Sequence, residues 1–418
     1  MPINVLSKSL ITALLLVVGA VAQAEPGVEE EGISAHGVYL GSIGRVVNNR
    51  VTAVMNIEGR TFPLALDTGA GTKTVLFKPA VDQLGLDIRE NKELSNWYYV
   101  SARVGIGDRG AVLSDPMEIS VIDVPVAVLK KHYGIIGWQV MKEMVVELDI
   151  PQARWHKHDA VPAEVIDGWQ SFPIRETDGQ NLQIAIQDKD KGQELLVSLD
   201  TGATGGISLD KAEWERWRQQ AEPDWVTIEA GYSPATRGGF SITKTAIVDS
   251  FHLGEFDLGR VRVEETFIEV RLNGEPVGYK PITLGLDVLR QRRIVIDGPG
   301  ERVYFGPLSD DASEGLAKIN RAQATFAPQS VKSDDQTAHV INDGIAYKAG
   351  LRSGDKILMV DGNLASNWRN DDAVRPATVF NKKPGTRVRL LVERDGERFP
   401  ITIELGRSPL DPVENSGS

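Results

Sequence analysis

The sequence predicts a mostly β protein: two homologous β lobes followed by a smaller C-terminal β module. Three observations carry this. A strand–turn unit is written twice, short apolar runs alternate with turn residues, and the composition shifts to an acidic stretch after residue 308. The chain has 418 residues, 41 % hydrophobic and 25 % charged, a globular composition too long for one ordinary core. It contains no cysteine, which excludes a disulfide scaffold, a zinc–thiolate site and a thiol nucleophile. A net charge of −12 disfavours nucleic acid as a partner, because phosphate contacts need clustered Lys and Arg.

From the N-terminus, residues 1–24 read as a secretory signal. Lys8 precedes the apolar run Leu10–Ala22, and Ala22-Gln23-Ala24 supplies small residues for cleavage after Ala24. That run has 13 residues, short of the roughly 20 a spanning helix needs. The expectation is a bacterial periplasmic protein with no stable membrane span after cleavage. Residues 25–36 form an N-terminal extension, 37–160 the first lobe and 161–308 the second.

The duplication is visible at two landmarks. Pro63–Leu76 and Leu196–Leu209 share Leu-Asp-Thr-Gly-Ala, at Leu66–Ala70 and Leu199–Ala203, 133 residues apart. Further on, Gly137 matches Gly285, Asp149 matches Asp297 and Arg154 matches Arg302, each 148 residues apart. Within the units, Thr52–Ile57 and Phe62–Leu66 flank Glu58-Gly59-Arg60 as a hairpin. Ile242–Val248 and Val261–Val270 repeat that habit, with Gly254 and Gly259 as turns. A helix over Lys78–Leu84 is closed by Gly85, and one over Lys211–Gln220 is capped by Asp210. Trp214 and Trp217, three apart on that helix, read as core or lobe-interface packing.

One Asp-Thr-Gly after an apolar strand is an ordinary turn. Two copies in the same context suggest a pseudo-twofold that sets Asp67 and Asp200 face to face. Two adjacent carboxyls cannot both ionise cheaply, so they share a proton. One then acts as a general base on water while the other polarises a carbonyl. Gly69 and Gly202 suit turns with no room for a side chain beside the reacting atoms, and Thr68 and Thr201 can bond across the axis.

These motifs resemble the retropepsin-like aspartic peptidases, with both lobes fused in one chain. Asp67-Thr68-Gly69-Ala70 and Asp200-Thr201-Gly202-Ala203 match the family's active-site turns. Ile135-Ile136-Gly137 and Thr283-Leu284-Gly285 look like its supporting apolar–apolar–Gly elements, with Thr283 where an apolar residue is usual. The resemblance implies a bilobal pepsin/retropepsin-like fold and an aspartic endopeptidase acting on peptide or protein substrates without metal or cofactor. Asp67 and Asp200 would be its catalytic dyad; Thr68, Gly69, Thr201, Gly202, Gly137 and Gly285 would support it. The alternative is a non-catalytic periplasmic peptide-binding or adaptor protein using the same cleft. Ala70 and Ala203 carry no hydroxyl to stabilise a carboxylate, so a pH optimum nearer neutral than pepsin's is expected. Trp97–Gly110 and Gly231–Phe240 are flap candidates, or ordinary hairpin loops.

Residues 309–324 read as a linker and 408–418 as a disordered tail. Between them, 325–407 resemble bacterial PDZ domains, on Gly350-Leu351, Gly354-Asp355, strand Ile357–Val360, Asp361-Gly362 and Pro384-Gly385-Thr386. Such folds add a peptide strand at an open sheet edge. A peptide ligand, or recruitment and gating of substrate, is therefore implied, although no Gly-rich carboxylate loop is recognisable between Gly315 and Ala338. His156 and His158 read as a solvated strand end rather than metal ligands. No Gly-x-Ser-x-Gly element is present.

Overall fold

The computed structural model describes residues 38–42, 51–90, 97–106, 114–122, 133–150, 152, 154–175, 181–188, 192–203, 205–223, 225–232, 240–265, 270–272, 275–278, 282–309, 319–330, 333–408 and 411. The signal, the N-terminal extension, most of the linker, most of the tail and parts of both flap candidates lie outside the described residues. The chain divides into two compact units. The first takes residues 1–206, 252–259 and 270–312; the second takes 207–251, 260–269 and 313–418.

The first unit is almost wholly β. Thr52–Ile57 and Arg60–Asp67 form a hairpin around Glu58 and Gly59, both at positive φ (+49° and +82°), the backbone a tight right-twisting hairpin requires. Arg60–Asp67 ends in four buried residues because it lies inside an eight-stranded sheet. There it runs parallel to Gly134–Gly137, with Asp67 opposite Gly137. Gln193–Leu199 repeats the arrangement against Ile282–Leu284, with Leu199 opposite Leu284 and the Asp200 amide donating to Leu284 O at 2.9 Å. Helix Lys78–Leu84 follows the first turn and ends at Gly85 with φ +65°.

A six-stranded sheet joins the ends of the two repeats. Its order is Val38–Ser42, Arg154–His158, Val145–Asp149, Ile294–Asp297, Arg302–Phe305 and Gln170–Pro173. The repeat is visible in its register, since Asp149 opposes Arg154 as Asp297 opposes Arg302. Leu148, Trp155, Ile294, Ile296 and Val303 are buried around it. His158 departs from expectation: it is buried rather than solvated, its Nε2 2.8 Å from Glu147 Oε2. Arg293 bonds the other Glu147 oxygen. An imidazole at a sheet end stays buried when a carboxylate on the neighbouring strand satisfies it.

In the second unit, Ile207–Leu209, Val261–Glu265, Phe240–Val248 and Val226–Tyr232 lie side by side in that order, with Val226–Tyr232 last. Of the run expected to extend to Val270, Val261–Glu265 lies in this sheet, 266–269 lie outside the described residues, and Val270–Leu272 pairs with Glu275–Gly278 in its own ribbon. Helix Lys211–Ala221 is capped by Asp210, whose Oδ1 accepts from Glu213 N at 2.9 Å. Trp214 is fully buried in the core, its ring centroid 5.2 Å from that of half-buried Trp217, which meets Phe251 at 5.9 Å.

The C-terminal module orders Ala324–Pro328, Gln336–Val340, Lys356–Val360, Arg387–Arg394 and Glu397–Glu404 in one sheet. Short helices Ile345–Lys348 and Pro376–Val379 accompany it, and Phe326 meets Phe380 edge-on at 5.8 Å in the core. Among the described residues no helix is long and apolar enough to cross a membrane.

Candidate functional site

Asp67 and Asp200 each close a buried strand and are almost wholly inaccessible, at 1 % and 0 % exposure. The two turns they begin are bound to each other reciprocally. Thr68 N donates to Thr201 Oγ1 at 3.0 Å, and Thr201 N donates to Thr68 Oγ1 at 3.0 Å. Each hydroxyl then donates to the carbonyl just ahead of the opposite aspartate: Thr68 Oγ1 to Leu199 O at 2.7 Å, Thr201 Oγ1 to Leu66 O at 2.8 Å. Only a short side-chain hydroxyl whose own amide faces the partner can take part on both sides. Further support comes from Leu182, whose amide donates to Thr68 O at 2.9 Å. No motif singles Leu182 out, because it acts through its backbone.

Glycine is obligatory beside each carboxylate. A Cβ on Gly69 would fall 2.2 Å from Asp200 Oδ2, and one on Gly202 would fall 2.5 Å from both Asp67 oxygens. Each carboxyl group therefore lies over the glycine of the opposite turn. Asp200 Oδ1 also accepts from the amides of Gly202 at 2.9 Å and Ala203 at 3.0 Å.

The apolar–apolar–Gly elements hold the turns from behind. Trp138 N donates to Ala70 O and Leu286 N to Ala203 O, both at 2.8 Å. Gly137 and Gly285 permit this closeness, since a Cβ would meet Thr72 O at 2.1 Å or Gly205 O at 2.4 Å. Thr283 is buried in its strand, opposite Ser198.

Chemically, two buried carboxyls over the same pair of turns disfavour double ionisation. The arrangement can hold one as an acid and the other as a base. Away from this pair, burial pushes the Glu147 carboxyl up, but hydrogen bonds from Arg293 and His158 prevail and hold it below the usual carboxylate range. Among the described residues no group of three or more His, Cys, Asp or Glu side chains could hold a metal ion.

Comparison with known proteins adds a different kind of information. A PDZ-domain family model matches residues 329–405. A probable periplasmic serine endoprotease, DegP-like, from Pseudomonas fulva is 29 % identical over 131 residues, covering 31 % of this chain and 25 % of that protein. One of the same description from Hahella chejuensis is 28 % identical over 137 residues, again 31 % and 25 %. Serine protease HTRA1 of Xenopus tropicalis is 24 % identical over 276 residues, 58 % of this chain and 56 % of that protein. The chain thus spans about a quarter of the periplasmic relatives and about half of HTRA1.

These relatives correct the family read from the Asp-Thr-Gly turns. The periplasmic relatives are described as serine endoproteases and HTRA1 as a serine protease, and this similarity, with the PDZ match, contradicts the retropepsin-like aspartic assignment. The pepsin/retropepsin-like fold class, the aspartic-type activity and the alternative of a non-catalytic adaptor are withdrawn with it. A mostly β chain remains, together with the PDZ domain. The physical reason is one of range: a three-residue motif specifies a local turn and its carboxylates, and a family assignment extends that signal over two lobes. The similarity assigns no serine of this chain as a nucleophile, and the side-chain positions around Asp67 and Asp200 stand as described.

Proposed function

We infer that the chain is an exported endopeptidase carrying a PDZ domain, and that Asp67 and Asp200 are residues its hydrolytic step requires. The endopeptidase reading is supported by the relatives, serine endoproteases described as periplasmic or matched over more than half of this chain. The site reading is carried by one observation: two buried carboxyls, each over the glycine of the other's turn, latched by the reciprocal Thr68–Thr201 bonds. Substrates are peptides or proteins, and the PDZ domain presents peptide ligands or substrates to the lobes. The export signal, the domain limits given above and the roles of Thr68, Gly69, Thr201, Gly202, Gly137 and Gly285 as supports of the pair belong to the same proposal.

The relatives favour a serine nucleophile, so the decisive experiment reads both groups at once. A diverse peptide mixture is digested by the full chain, by Asp67→Asn, and by the full chain treated with a fluorophosphonate that labels reactive serines. The site proposal expects cleavage by the wild type and none by Asp67→Asn. Cleavage that survives Asp67→Asn and is abolished by the fluorophosphonate contradicts the site assignment while keeping the endopeptidase. Absence of cleavage by the wild type across the pH range overturns the endopeptidase itself.

A further inference from the structure

Every outward-facing position in the PDZ-like sheet is at least partly exposed except on one strand. Gln336–Val340 alternates buried and half-buried residues, and Pro400–Glu404 alternates exposed and buried ones. Ala324–Pro328 is buried at all five positions. Phe326 and Ala324 face the module's own core. Thr325 and Ala327 face the other way, and are still only 1 % and 4 % exposed. Ala324–Pro328 is also the end strand of its sheet, with Gln336–Val340 on one side only. A strand buried on both faces at the rim of a sheet is being covered by something.

The cover is in the same compact unit. Strand Val226–Tyr232, itself the last strand of its own sheet, lies against Ala324–Pro328. Among the described residues the two edges belong to separate sheets, and side chains bridge them. Gln323 Nε2 donates to Val226 O at 2.8 Å and Asn320 Nδ2 donates to Ile228 O at 2.8 Å. These carbonyls are two residues apart, as are the outward carbonyls on one edge of a strand. At the far end of the hairpin, Phe240 packs edge-on to Trp368 with ring centroids 5.6 Å apart.

We propose that Val226–Tyr232 is an internal occupant of the PDZ domain's peptide-accepting edge, and that a peptide reaches Ala324–Pro328 only by displacing it. An extended peptide offers this edge a full backbone ladder, whereas the bonds named above reach the resident strand through the side-chain amides of Gln323 and Asn320. The exchange is therefore feasible, each net hydrogen bond being small. The preceding turn favours an internal extended segment over a free C-terminus. The Arg321 amide already donates to Phe380 O at 2.9 Å and the Ala322 amide to Asn320 Oδ1 at 3.1 Å, so neither is open to a terminal carboxylate.

The test uses the full chain and a synthetic peptide of residues 225–232, blocked at both ends. Hydrogen–deuterium exchange at 226–232 is followed with and without it, and its binding is compared among the wild type, Phe240→Ala and Trp368→Ala. Phe240→Ala weakens the latch from the hairpin side and Trp368→Ala from the PDZ side, so misfolding of one leaves the other informative. The proposal expects the peptide to raise exchange at 226–232 in the wild type and to bind the variants about five- to tenfold more tightly. Equal affinity for all three proteins, or binding that leaves exchange at 226–232 unchanged, overturns it. So does tighter binding of the same peptide with a free terminal carboxylate than of the blocked one.

Discussion

Thr68 shows how much one small side chain can do. Its hydroxyl accepts from the Thr201 amide and donates to Leu199 O, and both partners are buried. Thr68→Ala leaves that amide and that carbonyl unsatisfied. The expected cost is about 2–4 kcal/mol, at the sum of two unmade buried bonds. A denaturant titration of the purified variant checks it, and an unchanged midpoint would show that the cross-turn bonds are dispensable. Serine at the same position, keeping the hydroxyl, should restore most of the loss. The placement of Asp67 and Asp200 was legible at this scale because each closes an apolar strand before a glycine. Leu182 and the partners of Asn320 were not, because a backbone amide or carbonyl leaves no mark on residue identity.

Among the elements, those with strong local signals were readable to within a residue or two. Helix Lys78–Leu84 stops at Gly85, which adopts the left-handed conformation glycine tolerates, and Asp210 caps the helix that follows the second turn. At its far end the run toward Val270 pairs locally, and apolar content does not say which strand a segment pairs with. His158 was misread for a related reason: its burial depends on Glu147 of the adjacent strand and on Arg293, the latter far away in sequence. A pH dependence belongs to strand Gln336–Val340. Burial holds the His339 imidazole below its ordinary value of 6.5. Folded His339 therefore takes up protons less readily than the unfolded chain, and stability falls as pH drops through the unfolded value. Thermal unfolding of the wild type should lose more between about pH 7.5 and about pH 5 than unfolding of His339→Asn. Parallel losses in the two proteins would remove His339 from the account.

On the scale of the whole chain, the duplication explains why sites at distant positions come to share one sheet. Val145–Asp149 and Ile294–Asp297, the closing strands of the two repeats, pair directly, and Arg293 reaches across them to Glu147. Burial disfavours the Glu147 carboxylate, and the Arg293 and His158 bonds more than offset it, so its folded pKa is depressed below 4.5. The sign follows: this contribution to stability is present above the unfolded value and is lost as pH falls through the folded one. Removing the guanidinium in Arg293→Ala leaves burial with less opposition. Acid unfolding, followed by tryptophan fluorescence, should then begin at higher pH than in the wild type, and an unshifted onset would contradict the linkage. The lobes and the PDZ domain together gave the sequence its clear domain-scale pattern. The family of the lobes was beyond a pair of three-residue turns, and similarity over longer stretches to serine proteases contradicts the one read from them.

The claim at the centre is that Asp67 and Asp200 act as one unit. It is tested by measuring kcat for peptide cleavage in Asp67→Asn, in Asp200→Asn and in the double variant. Residues that act as a unit give non-additive losses, so either single change should remove about as much activity as both together. Losses that add, or a single variant retaining near wild-type kcat, would contradict it.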